Sequence, residues 1–194
     1  SGGGCFTGSV TGRGGDVHFG KKGAAGNGGG MSVGGNFGPV GGTSRIYANY
    51  FAENQAGGDG GGLYVTGGFI GDLAAYSFFD RNTAVGNGGG IYVGGVITGG
   101  IHGSPFVGNT AGGSGGGVYV NVITGSIDSG SYFNNNVATA GSGGAIMITG
   151  SSASLASPDA LTGNINASFR ENTAGENGGA IAVGDTATAI PVNI

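Results

Sequence analysis

Short apolar triplets, each preceded by a glycine-rich run, recur along the chain. In the stretch Gly86–Gly95, the triplet Ile91–Val93 has apolar first and third residues and lies between two glycine runs. The same alternation holds in every copy, whereas the middle residue varies. A period of two predicts a β-strand whose outer pair faces inward and whose middle residue faces outward. The six copies are Met31–Val33, Leu63–Val65, Ile91–Val93, Val118–Val120, Ile146–Ile148 and Ile181–Val183.

A phenylalanine precedes each triplet, and in five copies an asparagine follows that phenylalanine by three residues. The triplet begins twelve residues after the phenylalanine in five copies and thirteen residues after Phe133. Disordered glycine-rich tracts have no reason to keep this register, so the pattern indicates an internal repeat. The phenylalanines are Phe19, Phe51, Phe79, Phe106, Phe133 and Phe169. The asparagines are Asn54, Asn82, Asn109, Asn136 and Asn172, with Lys22 in the first copy.

The spacing of the triplets favours a coil of strands over a helical repeat. Their first residues are 32, 28, 27, 28 and 35 residues apart. The segments are short, β-branched and bounded by glycine, which costs roughly 1 kcal/mol inside a helix. We draw three strands per repeat: the phenylalanine segment, the triplet, and a segment such as 96–101. The sequence therefore predicts an all-β fold, a parallel β-helix (β-solenoid) of about six rungs of 27–28 residues. Residues 1–194 form one domain in this prediction, with a longer surface loop at 149–168.

Stacking of the rungs gives the repeated residues structural roles. Strands of successive rungs lie about 4.8 Å apart, so glycine suits corners that need a positive φ and have no room for a side chain. The five asparagines are predicted to form a hydrogen-bonded asparagine ladder. The six phenylalanines are predicted to stack in the core.

Two outward rows of side chains are candidate surfaces. Tyr64, Tyr92 and Tyr119 take the middle position of consecutive triplets. This row, the tyrosine stripe, either stabilises the solenoid or contacts a neighbouring protomer or sugar rings. Thr83, Thr110 and Thr173 form a second row, but a valine interrupts it, so an ice-binding function ranks low.

Composition narrows the classes of partner. Charged residues make up 8% of the chain, the net charge is −4, and no basic cluster exists, which argues against nucleic acid. No apolar run approaches the ~18 residues that span a bilayer. Many Gly, Asn, Thr and Ser residues with little Lys or Glu favour an extracellular or cell-surface protein.

Cys5 is the only cysteine, so no intrachain disulfide forms, and its role is left open between an inert thiol and an intermolecular cross-link. Asn166 begins the one glycosylation sequon.

No motif in the sequence predicts catalysis or cofactor binding. Polysaccharide cleavage needs paired carboxylates on one face, and the acids do not recur at one repeat position. His18 and His102 have no Cys or carboxylate at metal-ligand spacing. An acid flanks the glycines in one repeat of six, which is too few for a calcium-binding roll. We therefore expect no catalytic residue, no metal, no cofactor and no enzymatic activity.

The repeats resemble a known family. Gly143–Ile146 and Gly178–Ile181, following Phe133 and Phe169, look like the paired GGA-[ILV] and FxxN repeats of chlamydial-type polymorphic outer-membrane proteins. The resemblance implies a right-handed, pectin-lyase-like β-helix, exposed on a cell surface and used in adhesion. Four copies depart from the family by having Gly in place of Ala, and the first has Lys22 in place of Asn.

The ends of a solenoid expose strand edges, and no amphipathic helix that would cover them is evident here. With a low-charge surface, this favours head-to-tail stacking of copies into an open filament. The leading functional prediction is thus an extracellular structural subunit that self-associates into a fibre. The alternative is a cell-surface adhesin passenger that binds glycan or a host surface. A polysaccharide-active enzyme ranks below both.

Overall fold

The computed structural model describes residues 4–6, 18–38, 44–46, 49–73, 77–150 and 163–184. Within these ranges the chain is a parallel β-solenoid of about four turns, with three parallel sheets and no helix. This confirms the predicted all-β solenoid. Most of the predicted loop at 149–168, residues 151–162, lies outside the described ranges, and the single domain over 1–194 stays a prediction.

The phenylalanine sheet contains the repeated phenylalanines at the centre of six three-residue strands. Its strands pair in parallel and in sequence order, with each phenylalanine in register with the next. The strands are β2 (His18–Gly20), β6 (Tyr50–Ala52), β10 (Phe78–Asp80), β13 (Pro105–Val107), β16 (Tyr132–Asn134) and β19 (Ser168–Arg170).

The short sheet follows directly after a corner and consists of two-residue strands. Each strand ends in an alanine, and these alanines pair in register through all six strands. The strands are β3 (Gly23–Ala24), β7 (Gln55–Ala56), β11 (Thr83–Ala84), β14 (Thr110–Ala111), β17 (Val137–Ala138) and β20 (Thr173–Ala174).

The tyrosine sheet contains the predicted triplets and has seven parallel strands. The strand that pairs before the first triplet was not predicted from the sequence. The strands are β1 (Gly4–Phe6), β4 (Met31–Val33), β8 (Leu63–Val65), β12 (Ile91–Ile97), β15 (Val118–Ile123), β18 (Ile146–Ile148) and β21 (Ile181–Val183). A separate pair is formed by β5 (Ser44–Ile46) and β9 (Gly71–Leu73).

The strand drawn at 96–101 differs from the prediction. Val96 and Ile97 extend β12 beyond a β-bulge, and the segment then continues as isolated bridges at Ile101. The short sheet supplies the third wall instead. Its two-residue strands show no hydrophobic periodicity, so pattern analysis had no signal with which to find them.

The count of six rungs stays a prediction. Six strands stack in each of two sheets, but a complete turn also includes the connections between the sheets. Parts of the first two repeats and of the last two lie outside the described residues. The path of a whole turn is therefore described for about four turns only.

The core is a column of stacked rings beside a column of aliphatic side chains. Phe51, Phe79, Phe106 and Phe133 are at most 1% exposed. Their centroids lie 4.8 Å apart, with planes within 7° of parallel. The outer residues of the triplets in β8, β12, β15 and β18 are also fully enclosed. The exception to the predicted alternation is Met147, a middle residue that is buried.

Two kinds of corner have a positive φ. The first glycine after the polar residue of each glycine run has φ between 60° and 71°, as the glycine pattern predicts: Gly28, Gly60, Gly88, Gly115, Gly143 and Gly178. The corner after the phenylalanine strand is left-handed as well, but there five of six residues are not glycine: Lys21, Glu53, Arg81, Asn135 and Glu171 have φ between 49° and 55°. Local sequence gives no signal for this second corner, because stacking on neighbouring turns holds it.

Candidate functional site

The asparagine ladder lies inside the corner between the phenylalanine sheet and the short sheet. The backbone N–H and Nδ2 of Asn82 both donate to Oδ1 of Asn109, each at 3.0 Å. Asn82 Nδ2 also donates to the carbonyl oxygen of Phe51 at 2.9 Å. The pattern repeats from turn to turn, and Asn54, Asn82, Asn109 and Asn136 are 0% exposed. Each interior asparagine side chain thus donates two hydrogen bonds through Nδ2 and accepts two through Oδ1, which is the full capacity of an amide group.

The ladder has a direction, and its two ends differ. At the first turn, the Lys22 backbone N–H donates to Asn54 Oδ1 at 3.1 Å, but a lysine side chain has no acceptor to offer a preceding turn. At the last turn, Asn172 accepts from the backbone N–H and Nδ2 of Asn136 and donates to the Phe133 carbonyl. Its own backbone N–H has no partner among the described residues. The ladder therefore presents donors, not acceptors, at its Asn172 end.

We expect Lys22→Asn to stabilise the solenoid. An asparagine here adds an Nδ2 donor to Asn54 Oδ1, as Asn54 already does for Asn82. A typical net hydrogen bond contributes about 0.5–1.5 kcal/mol, and the new side-chain oxygen stays hydrated because residue 22 is exposed. Thermal melting of Lys22→Asn against Lys22→Ala measures the gain. A melting temperature for Lys22→Asn no higher than that of Lys22→Ala contradicts the expectation.

A second ladder, the corner column, was missed in the sequence analysis. Its side-chain oxygens accept the backbone N–H of the equivalent residue in the following turn, at 2.7–3.2 Å. Its members are Asn27, Asp59, Asn87, Ser114, Ser142 and Asn177. Asn, Asp and Ser share a side-chain oxygen at short reach, so the column needs that oxygen and not a single residue type. This requirement explains why the residue type varies at this position, whereas a calcium-binding roll would need an acidic residue there in every repeat.

A third row, the serine column, lies inside just before the phenylalanine strands. Asn49, Ser77, Ser104 and Ser131 are at most 5% exposed. Ser131 Oγ donates to the Ile101 carbonyl at 3.0 Å and accepts the Ser104 backbone N–H at 3.3 Å. The polar columns thus satisfy backbone groups at corners where sheet pairing is interrupted.

The tyrosine stripe forms a stacked row on the outer face of the tyrosine sheet. Tyr64 and Tyr92 have centroids 5.0 Å apart with planes 21° from parallel, and Tyr92 and Tyr119 repeat the 5.0 Å spacing at 7°. All three are half-buried. Both faces of the Tyr92 ring are covered by its neighbours, so a sugar ring has access to the outer edges of the stripe but not to those faces.

Alkaline pH should weaken the stripe. Burial, followed by the charge of Asp59 and the neighbouring Tyr119 and Tyr64, raises the pKa of Tyr92 above its ordinary value of 10.0. The folded state therefore holds the phenolic proton more tightly than the unfolded state. The resulting stability is fully present below pH 10 and is lost as pH rises through the raised pKa.

We expect the free energy of unfolding of Tyr92→Phe to fall less steeply above about pH 10 than that of the wild type, because the phenol is removed. Tyr132→Phe, outside the stripe, is the control. Denaturant titrations at neutral and alkaline pH make the comparison, and parallel pH profiles for Tyr92→Phe and the wild type would contradict it.

Charged groups on the outside pair with one another. Arg81 contacts Glu53 at 3.1 Å and Asp80 at 2.9 Å, and these side chains are partly or largely exposed. Such exposed pairs contribute at most about 1 kcal/mol. They are features of a solvated corner.

His102 has carboxylate neighbours that sequence spacing does not reveal. Its Nδ1 contacts the Asp128 carboxylate, and its Nε2 lies 3.5 Å from Asp72 Oδ1. Asp128 lies 26 residues after His102, and Asp72 lies 30 residues before it. Each carboxylate therefore belongs to an adjacent turn, and only the stacking of turns brings the three side chains together. Neither this trio nor any other group of three or more His, Cys, Asp or Glu side chains among the described residues has an arrangement that could hold a metal ion.

Two remaining candidate residues have simple settings. Asn166 is exposed, and its backbone N–H donates to the Ile127 carbonyl at 2.7 Å. Cys5 lies in β1 beside Ser32, and its side chain is outside the described part of the structure.

The repeat unit built from these columns matches a known family model. The Chlamydia polymorphic membrane protein repeat matches residues 76–97, 130–149 and 166–184. Three segments of the chain are thus similar to the Chlamydia polymorphic membrane protein repeat. The resemblance seen in the sequence is therefore confirmed. No curated protein and no solved structure matches the chain.

The three segments that match this family model fall on the columns described above. Their segments include Phe79, Phe133 and Phe169, and two of them include the GGA-[ILV] phrase. The repeat family is outer-membrane associated and fits a protein of the cell surface. Across the described ranges, which contain strands and no helix, there is no helical segment that spans a membrane.

Proposed function

We propose that this protein is an extracellular structural subunit whose solenoids stack end to end into a surface fibre. The observation that carries the proposal is that the burial of each turn depends on the equivalent turns stacked on either side of it. Phe133 and Ile146 are 0% exposed, whereas their counterparts Phe169 and Ile181 one turn later are only partly buried. An apolar, incompletely covered turn gains hydrophobic burial from a further turn placed on it.

Polar groups at the same end support stacking. Asn172 presents a backbone donor, and Asn177 continues the corner column, whose side-chain oxygens accept an N–H from a following turn. The open edge of a parallel sheet offers further N–H and C=O groups. We infer that residues 1–194 form six rungs of a right-handed, pectin-lyase-like coil, since the same repeat register runs through the whole sequence.

Sedimentation velocity over a range of protein concentrations, with negative-stain electron microscopy, tests the proposal. We expect concentration-dependent fibres. A monomer at every concentration overturns the fibre and favours the adhesin described below.

Gly179→Lys separates end stacking from other kinds of association. At Gly144, the equivalent interior position, an added Cβ would lie 2.7 Å from the Thr173 carbonyl carbon in the next turn. At Gly179 the nearest atom to an added Cβ is the Asn172 carbonyl oxygen at 3.2 Å, so the lysine needs a much smaller backbone shift than it would at Gly144 and projects from the end. Fibres should be lost in Gly179→Lys and kept in Val85→Lys, a lysine on a side wall that is 69% exposed in the wild type. Fibres that persist in Gly179→Lys exclude contact through this end.

The second candidate is a cell-surface adhesin passenger that binds glycan or a host surface, and the tyrosine stripe favours it. Three phenols in a row offer apolar edges and hydroxyl groups to a ligand. Glycan binding by a monomer, lost in Tyr92→Ala and kept in Tyr132→Ala, would support this function. In both candidates the role is not enzymatic. Measurable cleavage of a polysaccharide, abolished by replacing a carboxylate, would contradict that.

A further inference from the structure

The tyrosine stripe places identical reactive side chains side by side on successive turns. Tyr64, Tyr92 and Tyr119 are in register in adjacent parallel strands, and their rings stack at 5.0 Å. The backbone on either side is fixed by sheet pairing, and the flanking triplet residues are buried. These phenols are therefore held together continuously instead of meeting by diffusion.

The other described tyrosines lack such a partner. Tyr50 has His18 and Phe78 beside it in the neighbouring turns, and Tyr132 has Pro105 and Ser168. Among the described residues, a tyrosine next to a tyrosine occurs in the stripe alone. Tyr92 is the centre of the arrangement because it has a tyrosine on both sides.

We propose that the tyrosine stripe is a site of oxidative cross-linking, at which peroxide and a haem peroxidase join phenols of adjacent turns as dityrosine. Each of two phenols loses one electron and one proton to give a phenoxyl radical. The radicals couple through ring carbons ortho to the hydroxyl groups, and loss of the two ring protons to the phenolic oxygens restores both aromatic rings. Hydrogen peroxide accepts the two electrons and two protons and becomes two molecules of water, so the protein loses two hydrogens for each bond formed.

The stacked geometry favours this coupling over competing reactions. Parallel rings 5.0 Å apart bring the ortho carbons of neighbouring phenols close, so a radical on Tyr92 meets Tyr64 or Tyr119 before it meets another molecule. All three rings are half-buried, which leaves their outer edges open to a small oxidant or to electron transfer at the surface. A chain with one cysteine has no intrachain disulfide, and dityrosine gives it a covalent link between turns.

Treatment of dilute folded protein with hydrogen peroxide and a haem peroxidase tests the proposal. We expect dityrosine fluorescence in the monomer fraction, an intact mass lower by two hydrogens, and a cross-linked peptide pair that contains Tyr92. Tyr92→Phe keeps the ring and should lose this product, whereas Tyr132→Phe should retain the wild-type yield. Unfolding in urea before oxidation should reduce the intramolecular yield.

Three results overturn the proposal: no dityrosine in the wild type, the same yield in Tyr92→Phe as in the wild type, or a product found in dimers alone. Circular dichroism of Tyr92→Phe checks that the variant is folded. If it is not, Tyr64→Phe and Tyr119→Phe replace it. Each should lose the link to the missing ring and keep the link between Tyr92 and the remaining one. The test does not depend on fibre formation, because it is made on monomer.

Discussion

Replacing Asn109 with leucine is expected to destabilise the solenoid by about 3 kcal/mol or more, although the two side chains have similar volumes. Asn109 Oδ1 accepts both the backbone N–H and Nδ2 of Asn82, and Asn109 Nδ2 donates to the Phe79 carbonyl and to Asn136. Leucine removes the acceptor of the Asn82 backbone N–H, leaves one N–H of Asn82 Nδ2 unpaired and removes the side-chain donor to the Phe79 carbonyl, all in a region that is 0% exposed. Each buried, unsatisfied group costs about 1–3 kcal/mol.

Hydrogen exchange gives this prediction a residue-specific measurement. In Asn109→Leu, the Asn82 backbone amide should exchange much faster, because its acceptor is removed, and denaturant unfolding should show the loss of stability. Asn121→Leu is the matched control, since Asn121 is a half-buried position in β15 of the same repeat. A control variant as unstable as Asn109→Leu would mean that leucine, and not loss of the ladder, causes the effect.

The sequence predicted the parts of the fold whose residue type is dictated by stacking. A phenylalanine in the core, an aliphatic pair around an outward residue, and a glycine at a positive-φ corner each have one chemical solution, so they recur in recognisable form. The register between them then predicts a parallel coil. For the same reason the sequence alone predicts that Phe79 and Ile91 lie in the core and Gly88 at a corner.

The parts that the sequence did not predict allow several chemical solutions or depend on neighbouring turns. The corner column needs a side-chain oxygen close to the backbone, and Asn, Asp and Ser all supply one. No single residue type therefore recurs at its positions. The left-handed corner at Glu53 and Arg81 is imposed by the turns on either side. His102 meets its two carboxylates across turns of unequal length, which a fixed period does not predict.

Stacking also explains how a weakly charged chain keeps a definite structure. In a solenoid each turn contacts only its neighbours, so every column must be satisfied locally. The asparagine ladder and the corner column run in opposite senses: the first donates toward the following turn, and the second accepts from it. An end turn consequently presents donors and acceptors at fixed separate positions. This gives each end a chemical polarity, which a head-to-tail contact needs.

Gly89→Ala is expected to destabilise the solenoid strongly, and Gly90→Ala, one residue later, should be nearly neutral. A Cβ on Gly89 would lie 2.6 Å from the carbonyl carbon and oxygen of Thr110, and closer still to the Gly116 carbonyl oxygen. These are backbone atoms of the next turn, so no rotamer change relieves the contact. Separating two turns breaks both hydrogen-bond ladders at that level, and we expect a loss of about 3 kcal/mol or more.

Gly90 also faces a backbone oxygen, that of Gly117, at 2.6 Å, yet the prediction for it differs. The equivalent position is alanine in the last two repeats, and Ala145 is fully buried there while its backbone N–H still bonds to the following turn at 2.9 Å. The coil therefore accommodates a methyl at this corner by a small shift, and alanine also restricts the unfolded chain, which favours folding by about 0.4–1 kcal/mol. The unfolding free energies of the two variants test this difference, and equal losses would show that the coil at Gly90 does not accommodate a methyl as it does at Ala145.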